Sequence, residues 1–304
     1  MKKRKEITDK IVKQILFFAA ILCASFIILI IIFILIKGMA PFFKLYDIGG
    51  GFYKVEIGQF IIGSEWYQYP NIYGVGYIII DTVYVVLQAL VIAIPVSILT
   101  ALFICKIAPR ILSKILINVI EILAAIPSVI YGLFGRGVIT KFVIWIGKIF
   151  NYQTTGGKSA LAISIVLAIM IIPTITMLSE TAINAVKQDL VNASLALGAT
   201  PTQTNFKIVL NSAKSGIFSG IILGVGRALG EATAVSMVAG NAGSGPSFNP
   251  LDISATLTST MLQGIHETTG LDYDIRFSVG IVLIILILFS NLILNIIRRK
   301  IKNA

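Results

Sequence analysis

Residues 14–37, QILFFAAILCASFIILIIIFILIK, carry no charged side chain before Lys37. A helix rises 1.5 Å per residue, so about 20 apolar residues cross the hydrocarbon core of a bilayer. A helix this apolar on every side needs lipid or a deep core around it. Five further stretches reach the same length, near 76–104, 111–134, 159–179, 216–240 and 276–297. Together they predict an all-α membrane protein with six transmembrane helices. Pro95 and Pro127 fall inside the second and third stretches, where they read as kinks because neighbouring groups satisfy the freed carbonyls.

Composition agrees. Of 304 residues, 57% are hydrophobic and 13% charged, with mean hydropathy +0.93, whereas a soluble domain carries about 25% charged residues. Disordered, collagen-like and disulfide-scaffold classes are excluded on the same grounds. The single His266 and the two cysteines, Cys23 and Cys105, are too few for a metal cluster. Both cysteines read as packing residues without a disulfide, and no cofactor is expected. The net charge of +11 reads as cytoplasmic loop charge beside anionic membrane lipid rather than as a nucleic-acid surface.

The first stretch follows Lys2, Lys3, Arg4 and Lys5, as a secretory signal would, but it exceeds the usual apolar core of about 7 to 15 residues. No A-x-A site follows it, and Leu22 before Cys23 is not the small residue of a lipoprotein cleavage site. It reads as a retained helix.

Basic residues set the orientation. With the N-terminus inside, the cytoplasmic set is Lys2, Lys3, Arg4, Lys5, Lys10, Lys13, Lys106, Arg110, Lys114, Lys187, Lys207, Lys214, Arg298, Arg299, Lys300 and Lys302, sixteen in all. The external set is the eight residues Lys37, Lys44, Lys54, Arg136, Lys141, Lys148, Lys158 and Arg276. Both termini are therefore expected in the cytoplasm. The exception is the segment 135–158, where Lys141–Phe150 (KFVIWIGKIF) reads as a short amphipathic helix along the interface. The outer loop 38–75 contains Gly49, Gly50, Gly51, Trp66, Tyr67 and Tyr69. Interfacial anchoring is its plain reading, and docking of an external partner the sharper one.

Catalysis by this chain is not expected. Gly157-Lys158-Ser159 mimics the end of a nucleotide-binding loop, but Tyr152 stands where the first glycine must be and no strand precedes it. His266 has no assignable partner for nucleophile activation. The segment 180–215 is more telling. Gly198-Ala199-Thr200-Pro201 ends one short helix and starts another, which makes a compact knob on the inner face.

In the fifth stretch Gly216, Gly220, Gly224, Ala228 and Ala232 recur every four residues, a stripe that lets another helix approach closely. Leu223, Arg227 and Glu231 share a neighbouring face. An arginine inside a span costs about 2.5 to 3.5 kcal/mol on insertion scales, so Arg227 needs a partner or a polar cavity, and Glu231 one turn on is the expected partner. A structural salt bridge and a place on a substrate route are both open on this ground.

The knob's Asn192-Ala193-Ser194-Leu195-Ala196-Leu197-Gly198 resembles the EAA loop of ABC importer permeases, with Asn192 for the acid and, further on, Asn211 for the proline. Residues 125–135, AIPSVIYGLFG, and 224–235, GVGRALGEATAV, are similar to signatures of the phosphate-specific permeases, C type. The resemblance implies the ABC importer permease (MetI-like) architecture, with 1–13 as a basic cytoplasmic N-terminus and 14–304 as the permease domain around a coupling loop at 180–215. It implies a transport subunit of the cell membrane rather than an enzyme. Its partners would be a second homologous permease, two cytoplasmic ATPase subunits and an extracytoplasmic phosphate-binding protein. Asn192, Ala193, Ser194 and Gly198 would couple to the ATPases, and Arg227 and Glu231 would belong to the substrate pathway. Permeases for molybdate, tungstate or sulfate share this architecture. A transporter driven by an ion gradient is the other class, against which the EAA-like loop stands, as does the absence of paired broken segments.

Overall fold

The computed structural model describes residues 2–49 and 51–303, with side chains described over 10–49 and 51–301. Gly50, and the side chains of Lys2, Lys3, Arg4, Lys5 and Lys302, lie outside the described residues. Helix α1 (Lys2–Phe43) leads into a small cap. The cap contains the hairpin β1 (Tyr46–Ile48) and β2 (Gly51–Tyr53), then α2 (Ile57–Ile62), then the hairpin β3 (Trp66–Tyr67) and β4 (Ile72–Tyr73). Both hairpins are antiparallel, pairing Tyr46 with Tyr53 and Trp66 with Tyr73. Helix α3 (Gly76–Leu102) ends in a π-helical turn at Phe103–Ile107 and is followed by α4 (Arg110–Ala125) and α5 (Ser128–Phe134). A second π-helical turn, Gly135–Ile139, joins α5 to α6 (Thr140–Ile149). Next come α7 (Ala160–Asn184), α8 (Gln188–Ala196), α9 (Pro201–Gln203) and α10 (Leu210–Gly230), with the π-helical turn Thr204–Val209 joining the last two. Short helices α11 (Thr233–Val238) and α12 (Leu257–Leu262) precede α13 (Leu271–Asn303).

Six helices among the described residues are long and apolar enough to cross a membrane: Lys10–Phe43, Gly76–Ile107, Ser128–Ile149, Ala160–Asn184, Pro201–Gly230 and Leu271–Ile301. Two of them depart from the sequence reading. Pro127 does not kink a continuous third span. Ile126 and Pro127 are extended, with ψ of 128° and 141°, because a residue preceding proline is pushed out of the helical region. Helix α4 ends there, and the unbroken helix begins at Ser128. Consequently Lys141–Phe150 is not a separate interfacial helix, since Thr140–Ile149 continues α5 through the Gly135–Ile139 turn. The fifth span also ends early, at Gly230, with Glu231 extended (ψ 114°).

Helix α7 is the hub. Its central window is 61% buried, against none for α1, and it packs against α3, α4 and α10. The stripe on α10 makes this possible: a Cβ at Gly220 would sit 3.1 Å from Leu178 Cβ, and one at Gly224 2.9 Å from Ile175 Cδ1. Gly216 likewise faces Ala182. Gly132 plays the same part for α11, where an added Cβ would meet Ala234 Cα at 2.9 Å.

Helix α1 lies outside this core, chiefly against α13, and presents Leu16, Phe17, Phe18 and Ile27 on its surface. Cys23 shares that exposed face, so it does not pack within the chain as the sequence reading expected. The end of α1 next to the cap is fixed by Phe33 edge-on to Phe277, Ser278 Oγ donating to Gly38 O at 2.6 Å, and Lys37 paired with Asp274 at 3.4 Å.

The cap has a core of its own in which Phe42, Phe60, Tyr73, Leu257 and Ile275 meet. The Tyr46 hydroxyl donates to Asp274 Oδ2 at 2.7 Å, and the Tyr73 hydroxyl donates to Asp272. Burial, and then these carboxylates, push both phenols well above their ordinary range. Both therefore stay protonated donors at physiological pH. A bridge between Glu65 and Ser244 ties the cap to the segment after α11. The long loop 38–75 is thus a folded unit, from which Tyr69 stands out 91% exposed.

Candidate functional site

Arg227 lies near the end of α10, and its Nη1 donates to Thr174 Oγ1 of α7 at 2.9 Å. The two residues line a cavity of about 860 Å³ together with Ser219, Leu223 and Gly226 of α10 and Asn291 and Asn295 of α13. Polar groups at this depth of apolar helices are expensive unless they face a cavity or a partner. Here a guanidinium, two hydroxyls and two amides face one space, which suits an anion.

Glu231 does not hold Arg227. Helix α10 stops at Gly230, so the i to i+4 geometry that would join them is lost, and the two form no ion pair. Instead Glu231 Oε1 accepts the Ala234 amide at 3.0 Å, and its carbonyl accepts from Thr258 Oγ1 at 2.8 Å. It fastens the start of α11 to α12. Sequence reasoning therefore placed Arg227 on a polar face correctly and gave Glu231 the wrong neighbour. It missed Thr174, Ser219, Asn291 and Asn295. The signal was present in Asn291 and Asn295, four residues apart on one face of an otherwise apolar run.

The knob is built as the spacing predicts. Helix α8 ends at Ala196, and Gly198 takes φ of +84°, a left-handed conformation that glycine adopts without a Cβ penalty. Thr200 then caps α9, accepting the Gln203 amide at 3.2 Å, while Gln203 Oε1 accepts the Thr200 amide at 3.0 Å. The hydroxyls of Ser194 and Thr204 lie 2.9 Å apart and lock the two arms. Helix α8 buries none of its residues, and Leu197 is 89% exposed. Leu190, Ala193 and Leu197 with Lys207 and Ile208 form a shallow cavity of about 460 Å³. Asn192 is exposed beside it and accepts from Gln188 at 3.3 Å. An exposed apolar surface rimmed by polar groups is the kind that serves as an interaction site.

The Gly157-Lys158-Ser159 segment serves the fold: Gly157 lies on the Thr140 backbone, and Ser159 caps α7 by accepting the Ala162 amide at 3.1 Å.

Residues 93–303 match the family model described as binding-protein-dependent transport system inner membrane component. Among curated proteins, the chain is 33% identical over 256 residues to the phosphate transport system permease protein PstC of Pasteurella multocida, covering 79% of this chain and 78% of that one. It is 37% identical over 217 residues to the probable ABC transporter permease protein YqgH of Bacillus subtilis, covering 70% and 68%. Among solved structures, a bacterial ABC transporter involved in the import of the acidic polysaccharide alginate superposes with a TM-score of 0.64 at 18% identity, covering 97% of this chain and 99% of that one. Inward-facing MetNI methionine ABC transporter structures also match, one with a TM-score of 0.52 at 22% identity over 75% and 94%. These two likenesses concern the fold, the MetI-like arrangement of helices. By the match over 93–303, the chain belongs to the family of binding-protein-dependent transport system inner membrane components.

Proposed function

We propose that this chain is the C-type permease subunit of an ATP-driven phosphate importer, a multi-pass membrane protein that conducts the anion and hydrolyses nothing itself. The observation that carries the reading is its 33% identity over most of its length to a protein named as a phosphate transport permease. The guanidinium-lined cavity supports it, because the planar fork of an arginine donates two parallel hydrogen bonds to a tetrahedral oxyanion. In this reading a second, homologous permease closes the open side of the Arg227 cavity. Two ATPase subunits grip the α8–α9 knob from the cytoplasm, and a phosphate-binding protein docks on the outer cap. Both termini are cytoplasmic. ATP binding and hydrolysis rock the helix bundles between openings, with the Gly198 turn carrying the motion. Arg227 lies on the pathway, and Glu231 shapes it from outside the helix by fixing α11.

Co-purification in mild detergent, with mass-spectrometric identification of bound subunits, tests the assembly. Uptake of radiolabelled phosphate by cells expressing the whole set tests the substrate. The expected result is saturable uptake that stops on ATP depletion and withstands an uncoupler. Selective uptake of molybdate, tungstate or sulfate, or uptake abolished by the uncoupler alone, overturns the reading.

A further inference from the structure

A second cavity, of about 540 Å³, lies under the outer cap, far from Arg227 along α13. Residues 276 and 291 of that helix are separated by about 22 Å of axial rise. Its walls include Trp66 and Tyr67 of β3, Asn241 after α11, Gln263 and Glu267 between α12 and α13, and Arg276. Arg276 is only 3% exposed. Its Nη1 donates to Thr260 O at 2.8 Å and its Nε to Thr268 Oγ1 at 3.3 Å, both neutral acceptors. Among the described residues it forms no ion pair, and Nη2, beside Gly264, makes no hydrogen bond. The nearby Asp272 carboxylate is engaged by the Tyr73 hydroxyl. A buried guanidinium whose hydrogen bonds go only to neutral acceptors, and which forms no ion pair, gains from an anion that completes it.

The same wall also holds an acceptor, the exposed carboxylate of Glu267. An anion that only accepts hydrogen bonds, such as sulfate or molybdate, is attracted by Arg276 but repelled by Glu267. Phosphate near neutral pH keeps one or two P–O–H groups, which donate to Glu267 while its bare oxygens accept from Arg276 and Gln263. We propose that this cavity is an outer oxyanion site selective for protonated phosphate, upstream of the Arg227 cavity. The proposal rests on the phosphate-importer reading and adds a place where one anion is discriminated from another.

The test is equilibrium binding of radiolabelled inorganic phosphate to the purified membrane complex, washed free of the external binding protein and carrying Arg227→Gln to silence the inner site. Saturable binding is expected, without competition by equimolar sulfate. Arg276→Gln should weaken it about tenfold or more, as loss of a charged hydrogen bond does. Glu267→Gln and Gln263→Glu alter exposed side chains, so they remain informative if Arg276→Gln fails to assemble. The first should let sulfate compete, and the second should weaken phosphate. No saturable binding, binding insensitive to Arg276→Gln, or an unchanged preference in Glu267→Gln overturns the outer site. Cellular uptake separates the two readings: absence of phosphate uptake by the unmutated importer overturns the importer itself. Normal uptake with unaltered binding in these variants overturns only the outer site.

Discussion

Arg227 reaches across to Thr174 of α7, with Nη1 2.9 Å from Oγ1, and not down its own helix to Glu231. The hydrogen bond joins the polar face of α10 to the central helix at the wall of the inner cavity. Arg227→Gln should abolish phosphate uptake in an importer that still inserts and assembles, and Arg227→Lys should keep partial activity, since lysine supplies the charge without the fork. Thr174→Val should leave the charge and lose only its anchor, for a loss of about tenfold or more, as one hydrogen bond to a charged group is worth about 1.5 to 3 kcal/mol. Normal uptake by a well-assembled Arg227→Gln complex would remove Arg227 from the pathway.

Coupling should depend on the backbone of Gly198. An added side chain at its φ of +84° costs about 1 to 2 kcal/mol, and it projects into space left open at the turn, where an ATPase is proposed to fit. Gly198→Glu is expected to lower transport-coupled ATP hydrolysis in reconstituted vesicles by tenfold or more, about what a charge at a protein contact costs. Asn192→Ala, on the exposed face of α8, should be milder. Wild-type coupling in Gly198→Glu would place the ATPase contact elsewhere.

The glycine stripe should report on stability rather than transport specificity. Gly224→Leu must push Ile175 aside, since even a Cβ would come within 2.9 Å of its Cδ1, and overpacking costs about 1 to 3 kcal/mol. The thermal midpoint of the detergent-solubilised chain should fall. Gly230→Ala meets nothing within 4 Å and should leave it unchanged. Equal midpoints in the two variants would mean that α10 and α7 pack more loosely than this contact requires.

Orientation is open to direct labelling. Tyr69 in the cap is 91% exposed and Leu197 in the knob 89% exposed, so a cysteine at either is open to a reagent on its own side of the membrane. In a background with Cys23 and Cys105 replaced, Tyr69→Cys should react with an impermeant thiol reagent added to intact cells. Leu197→Cys should react only after lysis. The reverse pattern would invert the topology and place the knob outside.

The solvent and the number of crossings are legible in the order of residues alone. Runs such as 14–37 and 276–297 are too apolar and too long for anything but lipid, and this property is local to each run. The turn at Gly198 was legible for the same reason, because Gly-Ala-Thr-Pro ends one helix and caps the next through contacts within a few residues. The tertiary structure decided where helices stop inside the membrane and what their polar faces meet. Pro127 was compatible with a kink or a break, and the break appears where α4 and α5 pack separately on α7. Spacing put Arg227 and Glu231 one turn apart, but the helix ends between them once Glu231 is claimed by Ala234 and Thr258. Asn291 and Asn295 stood in plain view four residues apart, yet only the packing of α13 beside α10 turns that face toward Arg227. A helical period says which side chains share a face, whereas the partner of that face is set by helices tens to hundreds of residues away.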